Sequence, residues 1–183
     1  MTLANRITLI RLSFIPVFLA CIAGYGPDRV WLRHAALVLY LTAAVSDCVD
    51  GYIARNYNQQ SRLGRVLDPL ADKLMINLAF VFLAVNDHFA THVPYWFPPL
   101  VLGRDVTIVI GSFVIHEYFG TLSVRPRLSG KATAVFQYAS VVAVLLEVPF
   151  ARGLILATAA LTVVSLVDYI YAGCRQVGVK DPA

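Results

Sequence analysis

The chain has 183 residues, of which 58% are hydrophobic and 14% are charged, and its mean hydropathy is +0.69. A soluble domain carries about 25% charged residues, so this composition predicts an integral membrane protein and leaves no polar stretch for a separate soluble domain. The net charge of +4 comes from basic residues scattered in short loops, which gives no indication of a nucleic-acid partner. We therefore expect one membrane domain over residues 1–183.

Six apolar segments follow one another along the chain, and each is long enough to cross a bilayer as a helix, which takes about 20 residues. Glycines, prolines and polar runs separate them. The predicted spans are residues 6–24, 34–56, 64–86, 95–119, 130–148 and 152–173, preceded by a short interfacial helix at residues 2–8. The predicted fold class is an all-α integral membrane protein with six transmembrane helices.

Basic residues predict the orientation of these helices. Arg62 lies in the loop between segments two and three, and Arg65 lies at the start of segment three. Arg125 and Arg127 lie in the loop before segment five. The alternate loops carry fewer basic residues. By the positive-inside rule, the basic loops and both termini are expected on the cytoplasmic side of a multi-pass membrane protein.

Four aspartates lie within apolar helical sequence at the adjoining ends of segments two and three. Asp47 and Asp50 are spaced i,i+3, and Asp68 and Asp72 are spaced i,i+4, so each pair falls on one helical face. A carboxylate at membrane depth costs about 2.5–3.5 kcal/mol, and bound divalent cations such as Mg²⁺, Mn²⁺ or Ca²⁺ would offset that cost. Two facing helices could hold two such ions, an arrangement suited to phosphoryl transfer.

The residues around the aspartates fit this interpretation. Gly51 and Ala54 leave room beside the acidic face for a flat or bulky ligand, and Gly64 does the same at the start of segment three. Arg55 could pair with a phosphate. The alternative is that neighbouring arginines and lysines neutralise the aspartates at a solvated membrane edge, which explains a single aspartate better than four.

The stretch from Asp47 to Asp72 matches the pattern D-x2-D-G-x2-A-R-x8-G-x3-D-x3-D in full. It resembles the signature of the CDP-alcohol phosphatidyltransferases. Asn5, Thr8 and Arg11 are similar to the family's N-terminal N-x2-T-x2-R element, although Ala4 stands where a proline is common. Arginines ahead of the first apolar run would also fit a cleaved signal peptide. The N-terminal element argues against that alternative.

The resemblance implies a six-helix fold that forms a homodimer among membrane lipids and has a cavity open to the cytoplasm. It implies that an acceptor hydroxyl attacks the lipid-linked phosphorus of CDP-diacylglycerol and that CMP leaves. Asp47, Asp50 and Asp68 would bind two Mg²⁺ or Mn²⁺ ions, and Asp72 would be a further ligand or the general base, which makes Asp68 and Asp72 the catalytic candidates. The implied CDP-binding residues are Asp50, Gly51, Ala54, Arg55, Gly64, Thr8 and Arg11.

Basic residues in the second half of the chain are candidates for binding an anionic acceptor. Arg104 lies inside segment four and Lys131 opens segment five. The alternative is an internal pair of Arg104 with Asp105, together with a Lys131 side chain that extends to the membrane surface. Arg125 and Arg127 are further candidates, although the positive-inside rule alone also explains them.

The segments around Arg104 and Lys131 are similar to the phosphatidylglycerophosphate synthase and cardiolipin synthase branches of the family. Ser112 and Thr133 stand where synthases that use glycerol 3-phosphate usually carry a second arginine and a second lysine. These departures favour phosphatidylglycerol as the acceptor, which would give cardiolipin, while the wider occurrence of the other branch favours glycerol 3-phosphate. Both acceptors stay open. More distant alternatives are inositol phosphate, serine, or a divalent-cation transporter that uses the aspartates.

Overall fold

The computed structural model describes the backbone of residues 3–57, 64–119 and 128–178, and the side chains of residues 13–46, 73–111 and 128–173. Six α-helices and one 3₁₀ turn account for most of this backbone, in the order α1 (Leu3–Ala23), the 3₁₀ turn (Pro27–Arg29), α2 (Val30–Tyr57), α3 (Gly64–Val85), α4 (Phe97–Phe119), α5 (Leu128–Leu145) and α6 (Ala151–Gly178). Each predicted apolar segment is a helix, so the all-helical prediction is confirmed for the described part of the chain.

The short interfacial helix predicted at residues 2–8 is not an element of its own, and its position at the membrane interface stays a prediction. Residues 3–8 instead form the first turns of α1, which continues to Ala23. Neither glycine nor proline occurs between Leu3 and Ile15, so nothing in the sequence breaks the helix there. Pro16 lies within α1 without ending it.

The helices alternate in direction, so the loops 24–29, 86–96 and 146–150 meet at one end of the bundle, here called the Glu147 end. Tyr25 Oη donates to Glu147 Oε1 at 2.9 Å, and Arg33 forms an ion pair with the same carboxylate. Asn86 Nδ2 donates to the carbonyl oxygens of Ile22, at 2.7 Å, and of Tyr25, at 3.2 Å. These bonds satisfy carbonyl groups at the C-terminal end of α1 and just after it. The predicted aspartate site belongs to the opposite end.

Glu147 is the one described non-glycine residue with a positive φ, at 54°. It follows the end of α5, where the left-handed conformation usually requires glycine. The backbone N–H of Val148 donates to the carbonyl of Ala143 at 3.2 Å, which closes the helix terminus. The contacts of the Glu147 carboxylate with Tyr25 and Arg33 offset the conformational cost.

The helix interfaces combine aromatic packing with buried hydroxyl groups. Phe80 and Phe97 join α3 to α4 with ring centroids 4.8 Å apart. Between α5 and α6, which share an extensive interface, the hydroxyls of Ser140 and Thr158 are 2.7 Å apart and both residues are fully buried. Hydroxyl groups that hydrogen-bond between helices are typical of membrane bundles, where apolar contact alone gives little preference for protein over lipid.

Large apolar side chains cover the outside of several helices. Exposed examples are Val38, Leu41 and Val45 on α2, Val106, Val109 and Ile110 on α4, and Val163, Val164 and Val167 on α6. Apolar surface of this extent is typical of a protein in contact with lipid or with another chain.

Two helices in the described part of the chain are long and apolar enough to cross a membrane, Leu128–Leu145 and Ala151–Gly173. Ser13–Ala23 and Lys73–Val85 are shorter apolar helical stretches. Ser13 and Lys73 are each the first residue of a stretch with described side chains. The lengths of these two apolar stretches are therefore lower bounds for the apolar parts of α1 and α3.

Candidate active site

The backbone places the four aspartates on two consecutive helices. Asp47 and Asp50 lie on α2, and Asp68 and Asp72 lie on α3, after a connection at residues 58–63. The helical conformation assumed for both pairs is confirmed, so the spacing keeps each pair on one face. Their side chains lie outside the described residues, and the metal-binding and catalytic roles remain predictions.

The remaining residues predicted for CDP binding have helical backbone as well. Thr8 and Arg11 lie on α1, Gly51, Ala54 and Arg55 lie on α2, and Gly64 is the first residue of α3. Their side chains lie outside the described residues, as do Arg125 and Arg127 of the predicted acceptor site. The described side chains begin again at Lys73, the residue after Asp72.

Lys73 belongs to a cluster of charged and polar side chains centred on Asp105 of α4. Asp105 Oδ1 accepts from Arg104 Nη1 at 2.8 Å and from Lys73 Nζ at 3.0 Å. Asp105 Oδ2 accepts from Asn77 Nδ2 at 3.3 Å, and the same nitrogen donates to the Lys73 carbonyl at 2.9 Å. One carboxylate therefore fixes the turn of α3 that directly follows Asp72 against α4.

Arg104 extends from this cluster towards α5 and α6. The residue is only 6% exposed, and its Nη2 donates to Ser165 Oγ on α6 at 2.7 Å. On α5, a Cβ at Gly130 would lie 3.2 Å from Nη2, so the absence of a side chain makes room for the guanidinium. Arg104 Nε has no partner among the described residues.

Of the four predicted acceptor-binding residues, Arg104 and Lys131 have described side chains. Gly130, which faces Arg104, directly precedes Lys131, but consecutive residues of a helix point in different directions, so the structure shows no contact between these two side chains. Lys131 is exposed, whereas Arg104 is buried and paired with Asp105. The internal pair that the sequence left as an alternative for Arg104 is therefore present. It does not remove the positive charge, since Lys73 and Arg104 carry two such charges against the single negative charge of Asp105.

Thr133 has a packing role that the sequence does not show. It is fully buried, and its Oγ1 donates to the carbonyl of Ser129 at 2.8 Å and lies 3.2 Å from that of Leu161 on α6. The side chain thus faces α6. The absence of a lysine at this position is therefore a weaker guide to the acceptor than the sequence alone suggests.

The sequence analysis named Asp105 as a partner of Arg104 but missed Ser165, the partner of Arg104 on α6, and Asn77, which binds Asp105. Asn77 and Ser165 are polar residues within apolar helices, which is the signal that could have drawn attention to them. Their faces, however, could not be matched to Arg104 without the packing of α3, α4 and α6. A related pair, Ser129 Oγ to Asp168 Oδ2 at 2.8 Å, links α5 to α6 next to Gly130.

The described chain thus combines an all-helical fold with paired acidic residues on two consecutive helices and a cluster of charged side chains on the turn of α3 that follows them. Residues 1–165 match the family described as CDP-alcohol phosphatidyltransferase. The chain belongs to this family, and it is a transferase of phospholipid biosynthesis.

Several relatives extend over most of the chain. It is 30% identical over 182 residues to a probable phosphatidylglycerophosphate synthase of Mycobacterium tuberculosis, which covers 96% of this chain and 83% of the relative. It is 32% identical over 186 residues to a CDP-diacylglycerol--glycerol-3-phosphate 3-phosphatidyltransferase of Aquifex aeolicus, covering 97% and 98%. The Escherichia coli protein of the same description is 33% identical over 119 residues, covering 65% of this chain and 60% of the relative.

Proposed function

We propose that this protein transfers the phosphatidyl group of CDP-diacylglycerol to a hydroxyl of glycerol 3-phosphate, which gives phosphatidylglycerophosphate and CMP. The observation that carries the proposal is the similarity, over 97% of the chain, to a relative whose name states this reaction. The excess positive charge of the Lys73, Arg104 and Asp105 cluster supports an anionic acceptor. The buried position of Thr133 removes part of the argument for phosphatidylglycerol.

The proposed metal site consists of Asp47, Asp50, Asp68 and Asp72. The donor set fits two Mg²⁺ or Mn²⁺ ions, because carboxylate oxygens are their preferred ligands and each pair shares a face of a helix. Bound ions would supply Lewis-acid activation of the phosphorus and neutralise the charge of the departing CMP. Without such compensation, four carboxylates at membrane depth would be destabilising.

The protein's own residues would orient the reactants and move one proton. Asp72 accepts the proton of the acceptor hydroxyl as that oxygen forms its bond to the lipid-linked phosphorus. The bond from this phosphorus to the bridging oxygen breaks, and CMP leaves with the electron pair. Gly51, Ala54 and Gly64 give the nucleotide room, and Arg55 pairs with its phosphates.

The acceptor would be held by cationic groups on the other helices. Arg104 and Lys131 are the proposed ligands of its phosphate, with Arg125 and Arg127 contributing from the loop before α5. Supporting this assignment, Arg104 Nη2 lies against Gly130 and its Nε keeps a donor without a partner among the described residues.

We also propose a membrane arrangement that matches the sequence prediction. All six helices cross the bilayer as one domain, both termini and the aspartates face the cytoplasm, and two copies form a homodimer. The exposed apolar faces of α2, α4 and α6 support contact with lipid or a second copy. A protease site added after residue 183 should be cleaved only from the cytoplasmic side of sealed vesicles. Cleavage only from outside would contradict this orientation.

The reaction is tested by CMP release from purified protein given CDP-diacylglycerol and Mg²⁺ or Mn²⁺. Separate reactions contain glycerol 3-phosphate, phosphatidylglycerol, inositol phosphate, serine or no acceptor. Release that depends on glycerol 3-phosphate supports the proposal. Release only with phosphatidylglycerol would assign the cardiolipin-forming reaction instead, and no release with any acceptor would refute the proposed transfer.

A further inference from the structure

The carboxylate of Asp105 contacts both other charged groups of the cluster, Arg104 and Lys73. In the described part of the chain it is the acidic partner of both Arg104, on its own helix, and Lys73, on α3. The pair is well shielded from solvent, since the side chains of Arg104 and Asp105 are 7% and 11% exposed. A charge-assisted contact in such surroundings is held more rigidly than one at a solvated surface.

We propose that Asp105 is a positioning residue that holds Arg104 in a fixed relation to the part of α3 where Asp72 lies. The inference rests on the proposed function, because it assumes that Arg104 binds the acceptor and that Asp72 acts on its hydroxyl. Asp105 itself touches no reactant in this proposal. It acts through the guanidinium that it orients.

The first observation that supports this role is that the Asp105 carboxylate binds side chains of two helices, α3 and α4. Asp105 Oδ1 binds Arg104 and Lys73, while Oδ2 binds Asn77, so the carboxylate is anchored to two positions one turn apart on α3. A one-turn anchor fixes the rotation of α3 as well as its distance from α4. Because Lys73 follows Asp72 directly, the same anchor limits the movement of the proposed base.

The second observation that supports this role is that the Arg104 guanidinium also binds Ser165 on α6. Asp105 holds Nη1 at 2.8 Å and Ser165 holds Nη2 at 2.7 Å, so the guanidinium is fixed from α4 and from α6. A guanidinium has more N–H groups than these two bonds use, and Nε has no partner among the described residues. The arrangement therefore orients the group while leaving donors for a phosphate.

A role of Asp105 through net charge and a role through positioning Arg104 predict opposite changes in acceptor binding for Asp105→Asn. This variant removes one negative charge, so a cluster that acted only through its net charge would bind an anionic acceptor equally well or more tightly. If Asp105 positions Arg104, the variant loosens the guanidinium and the acceptor binds less well. We expect the KM for glycerol 3-phosphate to rise by about 10-fold, which corresponds to about 1.4 kcal/mol, with the KM for CDP-diacylglycerol within about 2-fold of the original.

Three further variants complete the experiment. Asp105→Glu keeps the charge and should recover most of the acceptor KM. Ser165→Ala removes the other anchor of Arg104 without changing any charge, and should raise the acceptor KM about 3-fold, so it tests the inference even where Asp105→Asn does not fold. Asp87→Asn, at the Glu147 end, is the matched control and should leave both KM values unchanged. Thermal unfolding in detergent is measured for each variant.

An acceptor KM that is unchanged or lower in a folded Asp105→Asn variant would overturn the inference, as would an unchanged value in Ser165→Ala. The same would follow if both KM values rose equally. Failure of the proposed function would look different, because the unmodified protein would then release no CMP with glycerol 3-phosphate. If it used phosphatidylglycerol, the acceptor KM would be measured for that lipid, with the same outcomes deciding the role of Asp105.

Discussion

Gly130→Ala is the sharpest available test of the contact between α5 and Arg104. The added Cβ would lie 3.2 Å from Arg104 Nη2 and 3.9 Å from Ser165 Oγ. Ordinary van der Waals contact starts at 3.4 Å, so the guanidinium must move by a few tenths of an ångström. It cannot move freely, because Asp105 and Ser165 both hold it. We expect the 2.7 Å bond to Ser165 to lengthen or break.

Two effects of opposite sign determine the stability of this variant. Alanine in place of glycine within a helix stabilises by about 0.8–1.0 kcal/mol. A weakened hydrogen bond from a charged donor costs about 1.5–3 kcal/mol. The net expectation is a loss of about 1 kcal/mol in the free energy of unfolding, with an acceptor KM raised about 5-fold because Arg104 is displaced.

Gly103→Ala is the matched control. Gly103 also lies within a helix, but a Cβ there would meet nothing within 4 Å. This variant should therefore show only the gain in helix propensity, about 0.8–1.0 kcal/mol, and an unchanged acceptor KM. Both quantities are measured side by side, by thermal unfolding in detergent and by CMP release at varied glycerol 3-phosphate. Equal stability and equal KM values in the two variants would refute the proposed contact between Gly130 and Arg104.

Three other outcomes are expected. Removing divalent ions with a chelator should abolish CMP release, and added Mn²⁺ should restore it; CMP release in the presence of chelator would contradict the metal site. The variants Asp68→Asn and Asp72→Asn should each lose at least about 100-fold in kcat with the fold retained. Tyr25→Phe removes the hydroxyl that donates to Glu147 and should lower the free energy of unfolding by about 1 kcal/mol without changing kcat; an unshifted melting temperature would count against that contact. Thr158→Val should cost about 0.6 kcal/mol at the interface of α5 and α6, and a stabilised variant would contradict the role of this hydroxyl.

The lengths and boundaries of the helices were largely predictable because they depend on local sequence. Apolar runs set the segments, and glycines, prolines and polar loops end them, as at Gly24 after α1 and Asn86 after α3. The exception was the N-terminus, where a polar start to α1 was interpreted as a separate interfacial helix. Polarity predicts the depth of a residue in the membrane, but it does not by itself break a helix.

The arrangement of the aspartates and the surroundings of Arg104 were predictable from the sequence to different degrees. The aspartates could be paired from spacing alone, since residues three and four apart share a helical face wherever the helix lies. The environment of Arg104 could not. Its partner Ser165 is 61 residues away, and Lys73 and Asp105, which meet beside it, are separated by 32. Contacts over such distances depend on which helical faces meet.

The sequence by itself determined the class of protein, the six helices and the pairing of the acidic residues, because composition and helical periodicity are local properties. Only the tertiary structure decided that Asp105 joins Lys73 to Arg104, that Gly130 makes room for the guanidinium, and that Thr133 faces α6. The physical reason is that helices of similar apolar composition can pack in many rotations. Buried charges and hydroxyls select among these rotations, since each must find a partner.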